Sequence, residues 1–432
     1  MLLDPILSRL IRHGTLRVRR PDGTFRIMGG TSPGPTAALA LKTPEIARRL
    51  LWDPSLGFGE GYMDGSIEPI EGSTIYDVLD VLILNLAEGG THPAMQVGQG
   101  LRQVGRRLLD LNTAVRSRRN VAHHYDLNGT LYSLFLDADR QYSCAYFPTG
   151  EETLEEAQVL KKRHLASKLR LDRPDLEVLD IGCGWGGLAL TLAGEYGARV
   201  TGLTLSEEQL AAARARAEAA GLADRVKFEL MDYRAWNRPM DRIVSVGMFE
   251  HVGINHYTPF FRTVKDALKE DGVALIHAIG QTGGPATTNP WITKYIFPGG
   301  YSPAVSEVIP AIEKAGLWVT DLEILRLHYA LTIRHWRERF AANRNAIKAI
   351  YDERFCRMFE FYLASSELAF RRWGHMNWQV QLAKKVDALP LTRDYMFETE
   401  RAAAAQAAYP HDPPPSTGPR EKVGQDAERA GD

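Results

Sequence analysis

Cysteine is scarce in this chain, with three in 432 residues, Cys144, Cys183 and Cys356, at irregular separations. So few thiols, so placed, cannot build a disulfide framework or a zinc site, and they suit a reducing, cytoplasmic setting. Net charge is lacking as well, formally −1 at pH 7. No global field therefore favours nucleic acid as a partner, and attraction to an anionic membrane must come from local basic patches. No apolar run is long enough to cross a bilayer, since the longest, Val78 to Leu86, is interrupted by Asp80 and Asn85. The opening MLLDPILSRLIRHG is amphipathic, carries an early Asp4 and has no small-residue cleavage site, so it does not read as a signal peptide. Any membrane contact is expected to be peripheral, from one side.

What is present is the composition of a globular protein, 44% hydrophobic and 24% charged, in a chain long enough for two folded units and a tail. Arginines gather upstream in three places: Arg17, Arg19 and Arg20; Arg102, Arg106 and Arg107; Arg116, Arg118 and Arg119. Each group reads either as a solvated face or as a surface for lipid headgroups. Residues 1–110 mix alternating segments, TLRVRR and TFRIMGG, with helical ones, PTAALALKTPEIARRLLW and STIYDVLDVLILNLA, and are expected to form a small α+β domain. A basic linker at about 111–130 opens a second domain, expected over 111–409. Residues 410–432, Pro-rich and charged, are expected to be disordered.

From Glu177 onward strands alternate with helices, the pattern of an α/β fold with a mainly parallel sheet covered on both faces. EVLDI, ARVTGLTL, RVKFELM, DRIVSVG and GVALIHAI read as strands, with GGLALTLAGEYG, SEEQLAAARARAEAAG and HYTPFFRTVKDALKE as helices between them. Residues 306–316 and 335–390 read as helical. The second stretch holds Trp336, Phe340, Phe355, Phe359, Phe361, Tyr362, Phe370, Trp373 and Trp378, which suit a core or the wall of a tunnel for an apolar chain.

The most specific short signal is Val178-Leu-Asp-Ile-Gly-Cys-Gly-Trp-Gly-Gly187, a strand that runs into a glycine turn and opens a helix. Asp180 closes the strand, and Gly182 and Gly184 let the backbone pass close to a ligand. Dinucleotide-binding folds share such a turn, but they need an acidic residue at the end of the second strand for a ribose hydroxyl. Here that strand ends Gly202-Leu-Thr-Leu-Ser206, and the third is followed by Met231-Asp232-Tyr233. Asp232 suits an adenine amino group and Tyr233 a purine face, which points to a Rossmann-like methyltransferase domain using S-adenosyl-L-methionine.

With these features the sequence resembles the cyclopropane-fatty-acyl-phospholipid synthases and the related mycolic acid cyclopropane synthases and methyltransferases. The resemblance covers about residues 120–385. It rests on Ala122-His-His-Tyr-Asp126, Tyr142-Ser-Cys-Ala-Tyr-Phe147, the glycine turn, Gly202-Leu-Thr-Leu-Ser-Glu-Glu-Gln209, Ser245-Val-Gly-Met-Phe-Glu-His-Val-Gly253 and Tyr295-Ile-Phe-Pro-Gly-Gly300. It implies a class I methyltransferase fold, with the cofactor against Tyr142, Ser143, Gly182, Thr204, Gln209 and Tyr233. It also implies a bicarbonate ion held by Cys144, by Glu250 in the neighbourhood of His251, by His277 and Ile279, and by Tyr329, placed seven residues before Trp336. The chain departs from the family pattern at Asn128-Gly-Thr130 and in the Gly- and Thr-rich stretch 281–289, while Glu60-Gly-Tyr-Met-Asp-Gly65 resembles the family's small N-terminal domain only loosely.

The substrate implied is the double bond of an unsaturated acyl chain in a membrane phospholipid. An alkene is a weak nucleophile, so the sulfonium methyl must be held in line at about 3 to 3.5 Å. The resulting cation needs aromatic faces and the exclusion of water, and a bound bicarbonate can take the proton whose loss lets a ring close. Loss of another proton, or a hydride shift, gives a methylene- or methyl-branched chain instead. A small-molecule methyltransferase and a non-catalytic lipid-binding protein are the readings from other classes, and the oligomeric state, homodimer included, stays open.

Overall fold

The computed structural model describes residues 3–89, 92 and 129–408. The arginine groups at 102–107 and 116–119, most of the linker, the Ala122–Asp126 motif, Asn128 and the tail 410–432 lie outside the described residues.

The N-terminal unit holds β1 (His13–Arg19), β2 (Phe25–Gly29), β3 (Ser32–Leu41) and β4 (Ile67–Pro69), in sheet order β2-β1-β3-β4 with only β1 and β3 parallel. Among the described residues four helices accompany it: α1 (Asp4–Leu10), α2 (Pro44–Trp52), α3 (Pro54–Met63) and α4 (Ile75–Ala87). Thr74 and Asp77 form a capping box that starts α4, so its first backbone N–H groups are satisfied locally. The sequence reading of PTAALALK as helical is corrected here, because Pro35 to Leu41 lie in β3 and the helix starts only after the Thr43 cap. Ala37 to Leu41 are all buried, so both faces of this strand are covered. Its two-residue alternation is therefore lost, and an Ala/Leu run then looks helical.

In the second unit the first elements among the described residues are α5 (Gly129–Phe135) and α6 (Leu154–Lys168). It continues as β5 (Glu177–Ile181), α7 (Gly187–Tyr196), β6 (Arg199–Thr204), α8 (Glu207–Ala219), β7 (Val226–Leu230), β8 (Met240–Val246), α9 (Tyr257–Ala267) and β9 (Leu268–Gln281). After α10 (Pro290–Tyr295) and α11 (Val305–Ala315) come β10 (Trp318–Leu325), α12 (His328–Ala342), α13 (Arg344–Ile350), α14 (Glu353–Arg372), β11 (His375–Ala383) and α15 (Asp394–Ala408). The sheet runs β10-β11-β9-β8-β5-β6-β7, parallel from β9 to β7, with β11 antiparallel to both its neighbours.

Successive residues of the parallel strands serve opposite cores, which is why these strands read as unbroken apolar runs. Val178, Val200 and Val244 pack with Leu188, Leu192 and Ala213, while Leu179, Leu203 and Ile243 pack with Phe260, Phe261 and Ile312.

The helical reading of 335–390 is corrected at its end. Gly374 adopts φ +75°, which stops α14, and residues 375–383 form β11. That strand does alternate, Met376, Trp378, Val380 and Leu382 against Asn377, Gln379 and Gln381, but its polar side is buried rather than wet. The aromatics of the stretch divide. Trp336, Phe340 and Phe359 belong to the core, Phe361, Tyr362 and Phe370 belong to it and also line a cavity, and Trp373, outside the core and exposed, lines the cavity only.

The units meet along α14 and α10. Tyr62 donates to Glu360 at 2.9 Å, and Arg354 and Arg372 pair with Asp64 and Asp80 at 2.9 and 2.6 Å. Glu60, from the Glu60–Gly65 segment, is buried and accepts hydrogen bonds from Lys294 and Tyr295, both at 2.6 Å, and from Arg49. Exposed pairs of this kind contribute up to about 1 kcal/mol each. The buried Glu60 matters more, because losing a partner would strand a charge. No helix among the described residues is long and apolar enough to cross a membrane.

Candidate active site

The residues singled out from sequence gather at the carboxyl ends of the parallel strands, where open α/β sheets leave a crevice. β5 delivers Asp180 and the turn after it. Gly182 has φ +84° and Gly184 φ +54°, and a Cβ on Gly182 would stand 3.0 Å from that of Met248. Only glycine combines that backbone conformation with that approach. Asp180 is buried and its Oδ2 has no hydrogen-bond partner among the described residues. Burial pushes its carboxyl up to about 7, against the pull of Lys161. An orphaned carboxylate beside a glycine cradle fits a ligand that brings its own donors, as the amino and hydroxyl groups of S-adenosylmethionine would.

At the end of β6, Thr204 donates to Gln209 at 2.9 Å, and Ser206 caps α8. Thus TLSEEQ is a strand end, a cap and the first helical turn folded onto one another. Past β7, Tyr233 sits edge-on to Phe260 at 5.3 Å, and the Asp232 carboxylate is engaged by Arg234 at 2.6 Å.

The Tyr142–Cys144 turn is held from two sides. Gln158 and Lys161 of α6 donate to the Ser143 carbonyl and hydroxyl at 3.0 and 2.9 Å. From α12, Thr332 accepts the Ala145 N–H at 3.0 Å, and Trp336 stacks on Tyr142 at 5.0 Å. Tyr142 also shares a 2.9 Å hydroxyl contact with Tyr362. Cys144 is fully buried, and that burial pushes its thiol up, so it stays protonated and is a poor nucleophile.

Glu250 follows β8 in a single 3-10 turn. One of its oxygens accepts the Ile279 N–H at 2.6 Å, and the other is buried with no partner among the described residues. Burial raises its carboxyl to about 7. His251 beside it is half-buried, and desolvation pushes it down to about 4. His277 on β9 lies between two carboxamides, Gln379 at 3.1 Å from Nδ1 and Asn377 at 3.2 Å from Nε2, and burial holds its pKa well below the usual imidazole range. Tyr329 stands edge-on to Trp336 at 5.7 Å and against Phe370 at 4.9 Å.

Cys144, Glu250, His277, Ile279 and Tyr329, together with Tyr142 and Ser143, all line one cavity of about 620 Å³. Asp180, Gly182, Gly184, Thr204, Gln209, Asp232 and Tyr233 are not in its wall. They lie along the neighbouring strand ends, and Gly182 reaches the cavity side through Met248, next to the lining residue Gly247. The cavity continues into the N-terminal unit, where Leu16, Val18, Leu39, Leu41, Leu79 and Leu82 form its walls.

Sequence reasoning missed Lys161, Asn377 and Gln379. Lys161 lies in LKKR, which looks like a solvated helix face, yet it is buried. The two carboxamides carried a signal, the alternation of HMNWQVQLA, hidden behind a long helical pattern.

A model of the family described as mycolic acid cyclopropane synthetase matches residues 112–380. The chain is 39% identical over 362 residues to a cyclopropane-fatty-acyl-phospholipid synthase from Escherichia coli, covering 83% of this chain and 90% of that protein. It is 36% identical over 408 residues to a probable fatty acid methyltransferase from Pseudomonas putida, covering 91% of this chain and 99% of that one. Among solved structures, the mycolic acid cyclopropane synthase CmaA1 complexed with SAH and CTAB is similar with a TM-score of 0.58 and 32% identity, over 63% of this chain and 99% of that one.

Proposed function

The chain belongs to the mycolic acid cyclopropane synthetase family and is an S-adenosylmethionine-dependent methyltransferase, and from that premise we propose that it acts as a cyclopropane-fatty-acyl-phospholipid synthase. The substrate is the cis double bond of an unsaturated phospholipid acyl chain. The observation that carries this reading is the single cavity in which Cys144, Glu250, His277, Ile279 and Tyr329 face an apolar extension into the N-terminal unit. A polar cluster at one end of an apolar passage suits a reacting group in the middle of a hydrocarbon chain.

The roles follow from the chemistry of each group. The glycine turn, Asp180, the Thr204–Gln209 pair, Tyr142 and Ser143 hold the cofactor, with Asp232 and Tyr233 toward its adenine. Tyr142, Tyr329 and Phe370 line the cavity, where their rings stabilise positive charge on the acyl chain, and Trp336 packs behind Tyr142 and Tyr329. The buried walls exclude the water that would trap that charge.

The polar cluster fits a small oxyanion. Tyr329 can donate a hydroxyl proton, His277 can donate from its ring, and Glu250, poised near neutrality, can donate when protonated. Held by these residues, bicarbonate would supply a base for the proton lost from the added methyl group. Glu250 is anchored through the Ile279 N–H, so its second oxygen is free for that work. Cys144 supplies a buried, neutral wall.

A reading of the product as a methylene- or methyl-branched chain is favoured by the likeness to the Pseudomonas putida fatty acid methyltransferase. Peripheral membrane contact is supported by apolar side chains left exposed on the N-terminal unit, Phe25 and Ile27 on β2 and Trp52 at the end of α2. Of the arginines beside them, Arg17 pairs with Glu71 at 2.7 Å and Arg20 with Asp4, which leaves Arg19 as the more available charge. The deciding experiment incubates the enzyme with vesicles of cis-monounsaturated phospholipid and S-adenosylmethionine labelled on its methyl group. Mass spectrometry should find labelled acyl chains heavier by one CH2, and fragmentation distinguishes a ring from a branch. Absence of label in every lipid would overturn the substrate.

A further inference from the structure

Three side chains stand in one row across neighbouring strands. His277 on β9 is opposite Gln379 on β11, which is in turn opposite Glu323 on β10. Helix α6 lies beside this row. Lys168 of that helix reaches the Gln379 carbonyl at 2.8 Å and ion-pairs with Glu323. One turn earlier, His164 contacts Glu323 at 2.7 Å through Nε2 and Glu400 of α15 through Nδ1.

An ammonium has donors only, so the end of Gln379 that faces Lys168 must be its carbonyl. The carboxamide nitrogen is then the end that faces His277, 3.1 Å from Nδ1. A donor at that distance needs a lone pair on Nδ1, so the proton of the neutral ring sits on Nε2. An imidazolium would set N–H against N–H. On the other side, the Asn377 carboxamide is 3.2 Å from Nε2, and its Oδ1 is buried with no partner among the described residues. With that carboxamide turned over, Oδ1 accepts a hydrogen bond from Nε2–H until a ligand in the cavity competes for that donor.

We propose that Gln379, locked by Lys168 and Glu323, is a positioning residue that holds His277 neutral with its proton on Nε2, so that His277 acts as a fixed N–H donor and not as a base. The functional part of this proposal rests on the assignment of His277 to the reacting site. The charged and titratable groups around His277 agree with it. Burial opposes the imidazolium most, the cations Lys161 and Lys168 and the His164 ring add to that, and Glu323 works the other way without prevailing. Glu323 is held well below the usual carboxylate range: burial works against it, but the hydrogen bonds and charges of His164 and Lys168 prevail. The row is not a proton conduit from Glu400, because a glutamine carboxamide interrupts it and does not titrate.

The test is 15N spectroscopy of the full chain labelled in histidine, with the His277 resonances identified by their loss in His277→Gln. The wild-type ring should show a protonated Nε2 and a bare Nδ1, unchanged from about pH 8 to about pH 5. A protonated Nδ1, or titration within that range, would overturn the proposal. In Gln379→Glu a carboxylate replaces the donor, and Nδ1 should become protonated, with lipid turnover at least about 10-fold lower and S-adenosylmethionine affinity unchanged. A ring in that variant that keeps the wild-type signature overturns the role of Gln379. If the variant does not fold, the wild-type spectrum alone decides the tautomer. The expected spectrum together with normal turnover in His277→Gln would support the tautomer lock and overturn the placing of His277 in the reaction.

Discussion

Glu250 is bound to the strand beside it through one oxygen only. That oxygen accepts the Ile279 N–H at 2.6 Å, while its second oxygen is buried and unmatched by any described donor. The arrangement fixes the carboxyl group's direction without satisfying it, and burial lifts it from 4.5 to about 7. A group tuned in this way changes its proton near working pH.

Glu250→Gln should abolish most turnover, on the order of a hundredfold or more, because a carboxamide cannot change its proton with pH or match the acid's donor strength. The stability effect has a definite sign. The native pKa lies above the unfolded one, so the folded state binds the proton more tightly. The associated stability is fully present below pH 4.5 and is lost as pH rises through about 7. A shift of that size corresponds to about 3 kcal/mol. Glu250→Gln should therefore be at least as stable as wild type at pH 8 and show a flatter melting temperature between pH 5 and 8, as checked by calorimetry. A variant less stable at pH 8 would contradict the buried, unmatched carboxylate.

Gly182→Ala should weaken the cofactor turn. Alanine at φ +84° costs about 1 to 2 kcal/mol in backbone strain, and its Cβ would stand 3.0 Å from that of Met248. Titration calorimetry should find S-adenosylmethionine binding at least about tenfold weaker, with a modest fall in melting temperature. Unchanged affinity would remove the turn from the cofactor site.

Leu82→Trp addresses the apolar passage. Leu82 lies on α4, is only partly buried, and lines the cavity in the N-terminal unit, far along the chain from the cofactor turn. A bulkier ring there should lower turnover of long acyl chains relative to short ones and leave S-adenosylmethionine affinity unchanged. Equal loss on all chain lengths would show that the acyl chain does not enter this part of the cavity.

Much of the catalytic unit was legible locally. The parallel strands announce themselves as apolar runs, and the turn after Ile181 requires glycine for reasons contained in a few residues. Cys144, Glu250, His277, Ile279 and Tyr329 came from family motifs, and they do share one cavity. β3 and β11 were misread for a common reason. β3 is covered on both faces and lost its alternation, while β11 kept its alternation but buries the polar side that normally faces water.

Short-ranged patterns were thus enough for the α/β alternation and the glycine turn. Tertiary structure alone decided which polar residues are buried and what they meet. Lys168 and Gln379 are 211 positions apart, and His277 and Gln379 are 102 apart. No local pattern relates them. Strand order placed β11 between β9 and β10, α6 laid Lys168 against the polar face, and the N-terminal unit closed over the cavity's far end. These outcomes follow from how apolar faces pair across the whole chain, and they determine the proton state and direction of the groups that the motifs name.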